Sequence, residues 1–361
     1  MANENSANPA AIRQLIEGEL AIFLSAQKKY LESIGSELSQ ASDALSSFLL
    51  DGGKRLRPLF AYFGFIGAGG AHSQELIRAC SSLELLQACA LIHDDLMDGS
   101  DTRRGKPAIH KHFEKLHDQE SAVGSSVGFG QSAAILLGDL ALVYSDLALH
   151  TSGINGDVLP QVLAVHDEMR VELMAGQFLD VYEQTRSSHT VERALTIARY
   201  KSGKYTIERP LHFGAALATT DKNHFAQVTS TYSAYGLPLG EAFQLRDDLL
   251  GVFGDPELTG KPAGDDLREG KRTVLVAMAQ ESMSSTDIKE FESHFGSADL
   301  DSAGIEKLRT IIADTGAPVH VEKLMTDLTA TAIAGLDTSI VTSHAHQVLS
   351  ELAISATKRN L

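Results

Sequence analysis

Tryptophan is absent from this 361-residue sequence, cysteine occurs twice, proline nine times, and aromatic residues make up only 6%. Cys80 and Cys89 stand nine residues apart in what reads as one helix. That separation is about 13 Å, beyond disulfide reach, so a disulfide scaffold is excluded and a reducing compartment fits. Basic residues are also scarce: 31 Lys and Arg against 47 Asp and Glu give a formal charge of −16. A broad affinity for nucleic acid or anionic membrane would need a basic face, so neither partner is expected, although a local basic pocket remains open. No long apolar run stands out. Residues 133–144 are interrupted by Asp139 and fall short of the roughly 18 apolar residues of a spanning helix, so no stable membrane insertion is expected. Residues 1–11 are polar and small, without the basic-then-apolar order of a secretory signal. They read as a flexible segment, and the chain as soluble and cytoplasmic.

The sequence is otherwise ordinary for a globular protein, 43% hydrophobic and 22% charged, and residues 1–361 are expected to form a single domain. Apolar residues recur at spacings of three and four while hairpin signals are scarce, which predicts an all-α fold. Ser73 is a natural N-cap, Glu75 suits a first turn, and Leu76, Cys80, Leu83, Leu86, Ala90 and Met97 carry a helix to Gly99. Further helices are expected over 157–182 and from Val191 through Lys201, where Gly203 and Pro210 should bend or break the chain. Pro238 and Gly240 punctuate the approach to another helix ending near Phe253. Loops are expected at 99–105, 121–132 and 254–270, and peripheral helices thereafter, divided at 299–304 and 315–318.

The two halves share a pattern. Leu91-Ile92-His93-Asp94-Asp95-Leu96 is followed by Gly105-Lys106-Pro107, and Gln244-Leu245-Arg246-Asp247-Asp248-Leu249 by Gly260-Lys261-Pro262. Asp94 and Asp98, four residues apart, project from one helical face. Carboxylates are hard donors suited to magnesium, which binds through a few of them together with substrate phosphate oxygens. Alone, such a pair reads equally well as a solvated acidic helix end. The surroundings tip the balance. Arg103, Arg104 and Lys106 follow the first aspartates, and Lys261, Arg268, Lys271 and Arg272 follow the second. Lys54, Arg55 and Arg57 stand behind Gly52-Gly53. Cations gathered beside metal-type carboxylates point to a phosphorylated substrate, since guanidinium forks bind phosphate in bidentate fashion.

Taken in order, G-G-K-R-L-R-P, D-D-L-M-D with R-R, and Q-L-R-D-D resemble the motifs of the trans-isoprenyl diphosphate synthases, over about residues 51–273. The resemblance implies a single all-α bundle of the isoprenoid synthase type around a central cavity, working as a homodimer. It implies a magnesium-dependent prenyltransferase, with three ions when substrate is bound. Isopentenyl diphosphate would be joined to dimethylallyl, geranyl or farnesyl diphosphate. By the same resemblance Asp94, Asp98, Asp247 and Asp248 hold magnesium, and Lys54, Arg57, Gln87 and Arg104 hold isopentenyl diphosphate. Arg103, Lys201, Ser202, Gln244, Lys261 and Lys271 are implied at the allylic diphosphate and second motif, with Asp94, Asp98, Asp247, Lys201 and Arg103 carrying catalysis. Gln87, Ser202 and Gly251 stand where many members have histidine, threonine and a third aspartate. His93 is expected to be structural.

Product length should be read on the helix before Asp94, at Ala90, Cys89, Leu86 and Leu83. Ala90 and Cys89 are small enough to pass a farnesyl chain, whereas Leu86 and Leu83 should block it deeper. A geranylgeranyl product is expected, with farnesyl or longer-chain synthesis as the alternative. A terpene cyclase shares the first motif, but residues 247–251 do not match its Asn/Ser/Glu motif. A catalytically silent partner of a synthase would lack acidic and basic residues that are present here.

Overall fold

A computed structural model describes residues 8–186, 190–255, 264–297 and 299–358. These form an all-α bundle, with one two-stranded hairpin among the described residues. They fall into two compact units, Met1–Tyr62 with Ala71–Leu159 and Phe63–Gly70 with Pro160–Leu361.

In the first unit α1 (Pro9–Ile34) and α2 (Leu38–Leu50) precede α3 (Leu56–Gly67), which ends within the second unit. Residues 9–11, expected to be flexible, are helical: the Asn8 side chain accepts from Ala11 N–H and Pro9 opens the helix, where its missing donor is harmless. Residues 1–7 lie outside the described residues. A stripe at intervals of four, Ile12, Ile16, Leu20 and Leu24, buries one face of α1. Helix α4 (Gln74–Met97) starts as expected, with the Ser73 hydroxyl accepting from Leu76 N–H, and it packs along α6 (Ser126–His150). Between them lie hairpin strands β1 (Thr102–Arg103) and β2 (Lys106–Pro107) and helix α5 (Ile109–Gln119).

Two expectations fail at α6. Residues 126–132 are helix rather than loop, because Ser125 caps them at Gly128 N–H. The helix is also longer than its apolar run suggested. By length and composition α4 and α6 could each cross a membrane, and the most apolar stretch of α4 is 72% buried in the protein against 44% for α6.

The second unit contains α7 (Leu159–Gln184), of which Leu159 counts with the first unit, and α8 (Val191–Ala198). A π-helical segment (Arg199–Glu208) and α9 (Arg209–Ala218) follow. The bend expected at Gly203 is thus a change of helical register. Helix α10 (Lys222–Phe253) runs unbroken through Pro238. The carbonyl that loses its donor there, Ala234 O, would stand 2.7 Å from a Cβ at Gly335, so only a bare Cα fits against it. After α10 come α11 (Asp265–Glu269), within the expected 254–270 loop, α12 (Val274–Ser282) and α13 (Ser285–His294). The last are α14 (Ser302–Asp314), α15 (Ala317–Gly335) and α16 (Ser343–Thr357). The helices expected to be peripheral are not all so. Ile305, Leu308 and Ile312 of α14 and Val321 and Met325 of α15 share one core with Leu245, Leu249 and Val252 of α10.

Candidate active site

Helix α4 is buried on most sides, with Leu83, Leu86 and Cys89 fully covered. Gln87, Ala90, Leu91, Asp94 and Asp98 stay partly open, and their spacing places them on one face. Of the four positions singled out for product length, only Ala90 is partly open; Leu83 shares this face by spacing but is buried. Cys89 turns toward α6, its Sγ 3.8 Å from His93 Nδ1, and burial pushes its thiol up to about 11. His93 Nε2 donates to Ile135 O at 3.2 Å and lodges against Gly138, where a Cβ would stand 2.1 Å from that nitrogen. This agrees with a structural role. Gln87 Oε1 is buried with no hydrogen-bond partner among the described residues, an acceptor left for something else.

Asp94 and Asp98 end α4 with no basic residue in its last turn, so both acids oppose the helix dipole. Help comes from the hairpin. Its central residues Arg104 (φ 54°) and Gly105 (φ 73°) are left-handed, as a tight two-residue turn requires, and the turn folds Arg103 back onto α4. Arg103 Nε donates to Asp95 at 2.9 and 3.1 Å, and its Nη2 lies 3.7 Å from Asp94. Burial works against this guanidinium's charge, but Asp95, then Asp94 and Asp98, outweigh it and raise its proton affinity. Asp95 is 1% exposed. It is the residue that holds Arg103, a role the D-D-x-x-D spacing does not reveal.

Arg104 Nη1 donates to Phe48 O at 3.3 Å and to Gly52 O at 3.1 Å, which ties the hairpin to the glycine loop. Lys106 adds an ion pair to Asp51. Within that loop the three cations separate. Arg55 is 2% exposed, with Nη1 on Glu84 at 2.9 Å and Nη2 on Leu49 O at 2.6 Å, while Lys54 is exposed and Arg57 half-buried. Desolvation lowers the proton affinity of Arg104, against the pull of Glu84, and Arg55 and Arg103 lower it further. Arg55 and Arg103 each have a carboxylate partner, so it is Arg104, desolvated beside both, that an anion would relieve. Sequence reasoning missed the Arg55–Glu84 pair, whose one signal was a glutamate inside an apolar helix.

In the second unit α10 opens one face at Gln244, Asp247, Leu250 and Gly251. Asp248 is buried, and Gln244 Nε2 donates to it at 2.7 Å. Burial pushes its carboxyl up to about 8, with Asp266 and Asp247 adding repulsion. A Cβ on Gly251 would stand 1.9 Å from Asp266 Oδ2. The third carboxylate missing at position 251 is therefore replaced in space by one from α11, a residue absent from the sequence reading. Lys271 lies 3.8 Å from Asp266 and 2.6 Å from Glu269. Lys201, beside half-buried Ser202 on the π-helical segment, donates to Asp180 of α7 at 2.6 Å. Lys261 lies outside the described residues.

These carboxylates fit magnesium by donor chemistry and by the repulsion a cation would offset. Among the described residues no three His, Cys, Asp or Glu side chains are grouped to hold an ion.

Comparison with known proteins agrees with this geometry. The family model described as polyprenyl synthetase matches residues 39–312. Geranylfarnesyl diphosphate synthase of Aeropyrum pernix is 31% identical over 275 residues, 75% of this chain and 79% of its own. Geranylgeranyl diphosphate synthase of Saccharolobus solfataricus is 29% identical over 287 residues, 79% of each chain. Among solved structures, geranylgeranyl pyrophosphate synthase of Corynebacterium glutamicum, complexed with isoprenyl diphosphate and magnesium, is similar at 40% identity. Its TM-score is 0.92, with 97% of this chain and 99% of that one covered. An aspartate-ended helix flanked by guanidinium groups, and a family match across most of the chain, place this protein in the polyprenyl synthetase family.

Proposed function

We propose that the protein is a prenyltransferase that joins isopentenyl diphosphate to allylic diphosphates, with geranylgeranyl diphosphate as its main product. The observation that carries this reading is the hairpin that sets Arg103 and Arg104 beside the partly open Asp94 and Asp98 carboxylates and the glycine loop. Magnesium held by Asp94, Asp98, Asp247 and Asp248, three ions with both substrates bound, would neutralise the allylic diphosphate and ease its departure. Arg103 and Lys201, already oriented by Asp95 and Asp180, bind the departing group. Lys54, Arg57, Arg104 and the Gln87 side chain, through its NH2 donor, seat isopentenyl diphosphate. The allylic carbon–oxygen bond breaks to leave an allylic cation and diphosphate, the alkene of isopentenyl diphosphate attacks the cation, and the proton then lost goes to the departed diphosphate.

The enzyme acts in the cytoplasm as a homodimer. Support for a second copy comes from apolar rows left uncovered, Val127, Ile135, Leu136 and Val143 on α6 and Val171, Met174 and Phe178 on α7.

Incubation with isopentenyl diphosphate, each allylic diphosphate in turn and magnesium should yield a twenty-carbon diphosphate. Ala90→Phe should shorten it, because Ala90 is the small residue on the open face, four residues before Asp94. An unchanged product would move the floor of the chain pocket to other helices. Gly251→Ala should raise the magnesium needed for half-maximal rate, because its Cβ would displace the Asp266 carboxylate. An unaltered magnesium titration would remove Asp266 from the site.

A further inference from the structure

Lys201 belongs to ten π-helical residues, an arrangement that is rare at this length and reverts to α-helix unless held. Its grip on α7 comes from Glu172, Gly176 and Asp180, spaced by four along one face of that helix. At the middle position the segment lies so close that a Cβ on Gly176 would stand 2.3 Å from Lys201 N. On α10 a Cβ at Gly240 would stand 2.5 Å from Gly203 Cα. Two bare glycines therefore let the wider helix in, but neither distinguishes one register from another.

Glu172 does distinguish them. Arg209 N–H donates to Lys204 O, a five-residue bond of the π type. The side chains of the same two residues meet on the Glu172 carboxylate. Lys204 Nζ donates to Oε1, Arg209 Nε to Oε2 at 2.7 Å and Arg209 Nη2 to Oε1 at 2.8 Å. In an α-helix residues five apart point about 140° away from each other, so one carboxylate would lose one of them. Burial alone would raise the Glu172 carboxyl, yet Arg209 and Lys204 pull it below its ordinary range, so the bridging anion persists at neutral pH.

We propose that Glu172 is a positioning residue that selects the π register of Arg199–Glu208 and thereby sets Lys201 at the allylic diphosphate. The proposal rests on the reading of Lys201 as an allylic-diphosphate ligand. It is tested with Glu172→Gln, Lys201→Ala and the double variant in the full-length protein with magnesium. The readouts are Michaelis constants for both substrates and backbone hydrogen exchange. Glu172→Gln should raise KM for the allylic diphosphate about tenfold, the scale of a lost charged hydrogen bond, and leave KM for isopentenyl diphosphate within about twofold. Exchange should quicken in 199–209 but not in the rest of α9 or in α10. In the Lys201→Ala background the same change should add little. Unchanged allylic KM and exchange in Glu172→Gln, or full multiplication of the two effects in the double variant, overturns the proposal. If Lys201→Ala itself leaves allylic KM unchanged, the reading of Lys201 fails, and exchange then decides the register: faster exchange confined to 199–209 supports it and unchanged exchange overturns it. Should Glu172→Gln not fold, Lys204→Met, which removes one arm of the bridge, must show the same pattern or the proposal falls.

Discussion

Asp94→Ala and Asp98→Ala should each lower turnover by at least about 10²- to 10³-fold, the scale on which a lost electrostatic stabiliser of a transition state is felt. Both side chains are half-buried on the open face at the C-terminal end of α4, where an acid opposes the helix dipole. Removing either one relieves that opposition and offsets part of what is lost at Arg103, so stability should change by less than about 1 kcal/mol. Asp95→Ala differs in kind. It strips Arg103 of its buried partner and should cost stability as well as rate. Single-turnover rates and urea midpoints separate the two cases, and EDTA should silence the wild type until magnesium is restored. Near-normal turnover in Asp94→Ala would remove the carboxylates of α4 from the reaction.

The second large effect is on folding. Arg55→Met should destabilise the protein by about 3–5 kcal/mol, since it leaves Glu84, 5% exposed, as a buried charge without its guanidinium. The cost is raised by the backbone. Arg55 has φ of 52°, a conformation that a residue with a side chain holds only when its surroundings fix it, here through Glu84 and Leu49 O. Lys54→Met, next along the same loop but exposed, should change stability by less than about 0.5 kcal/mol and act on KM for isopentenyl diphosphate instead. Arg55→Met combined with Glu84→Leu should recover most of the loss, because the unpaired charge goes with it. Equal stability losses in Arg55→Met and Lys54→Met would show that Arg55 is no anchor.

Spacing by itself determined a good deal about this protein. The capped start of α4 at Ser73, the shared face of Asp94 and Asp98, and the predominantly helical fold all follow from periodicity and capping, which act within a few residues along the chain. The limits of that local code are as specific. Pro238 should have broken α10 and does not, because Gly335, about a hundred residues later, leaves room for the displaced carbonyl. The adjacent cations Lys54 and Arg55 look alike in sequence, yet one is exposed and the other is locked to Glu84 on a different helix. Asp266 fills the place of an aspartate absent at 251, Asp180 holds Lys201, and Glu172 bridges two residues five apart that only a π-helix brings together. Sequence sets which groups a short stretch can offer. Which of them face solvent, which neutralise one another and in what helical register they stand depends on contacts between distant segments, and those exist only once the chain has packed.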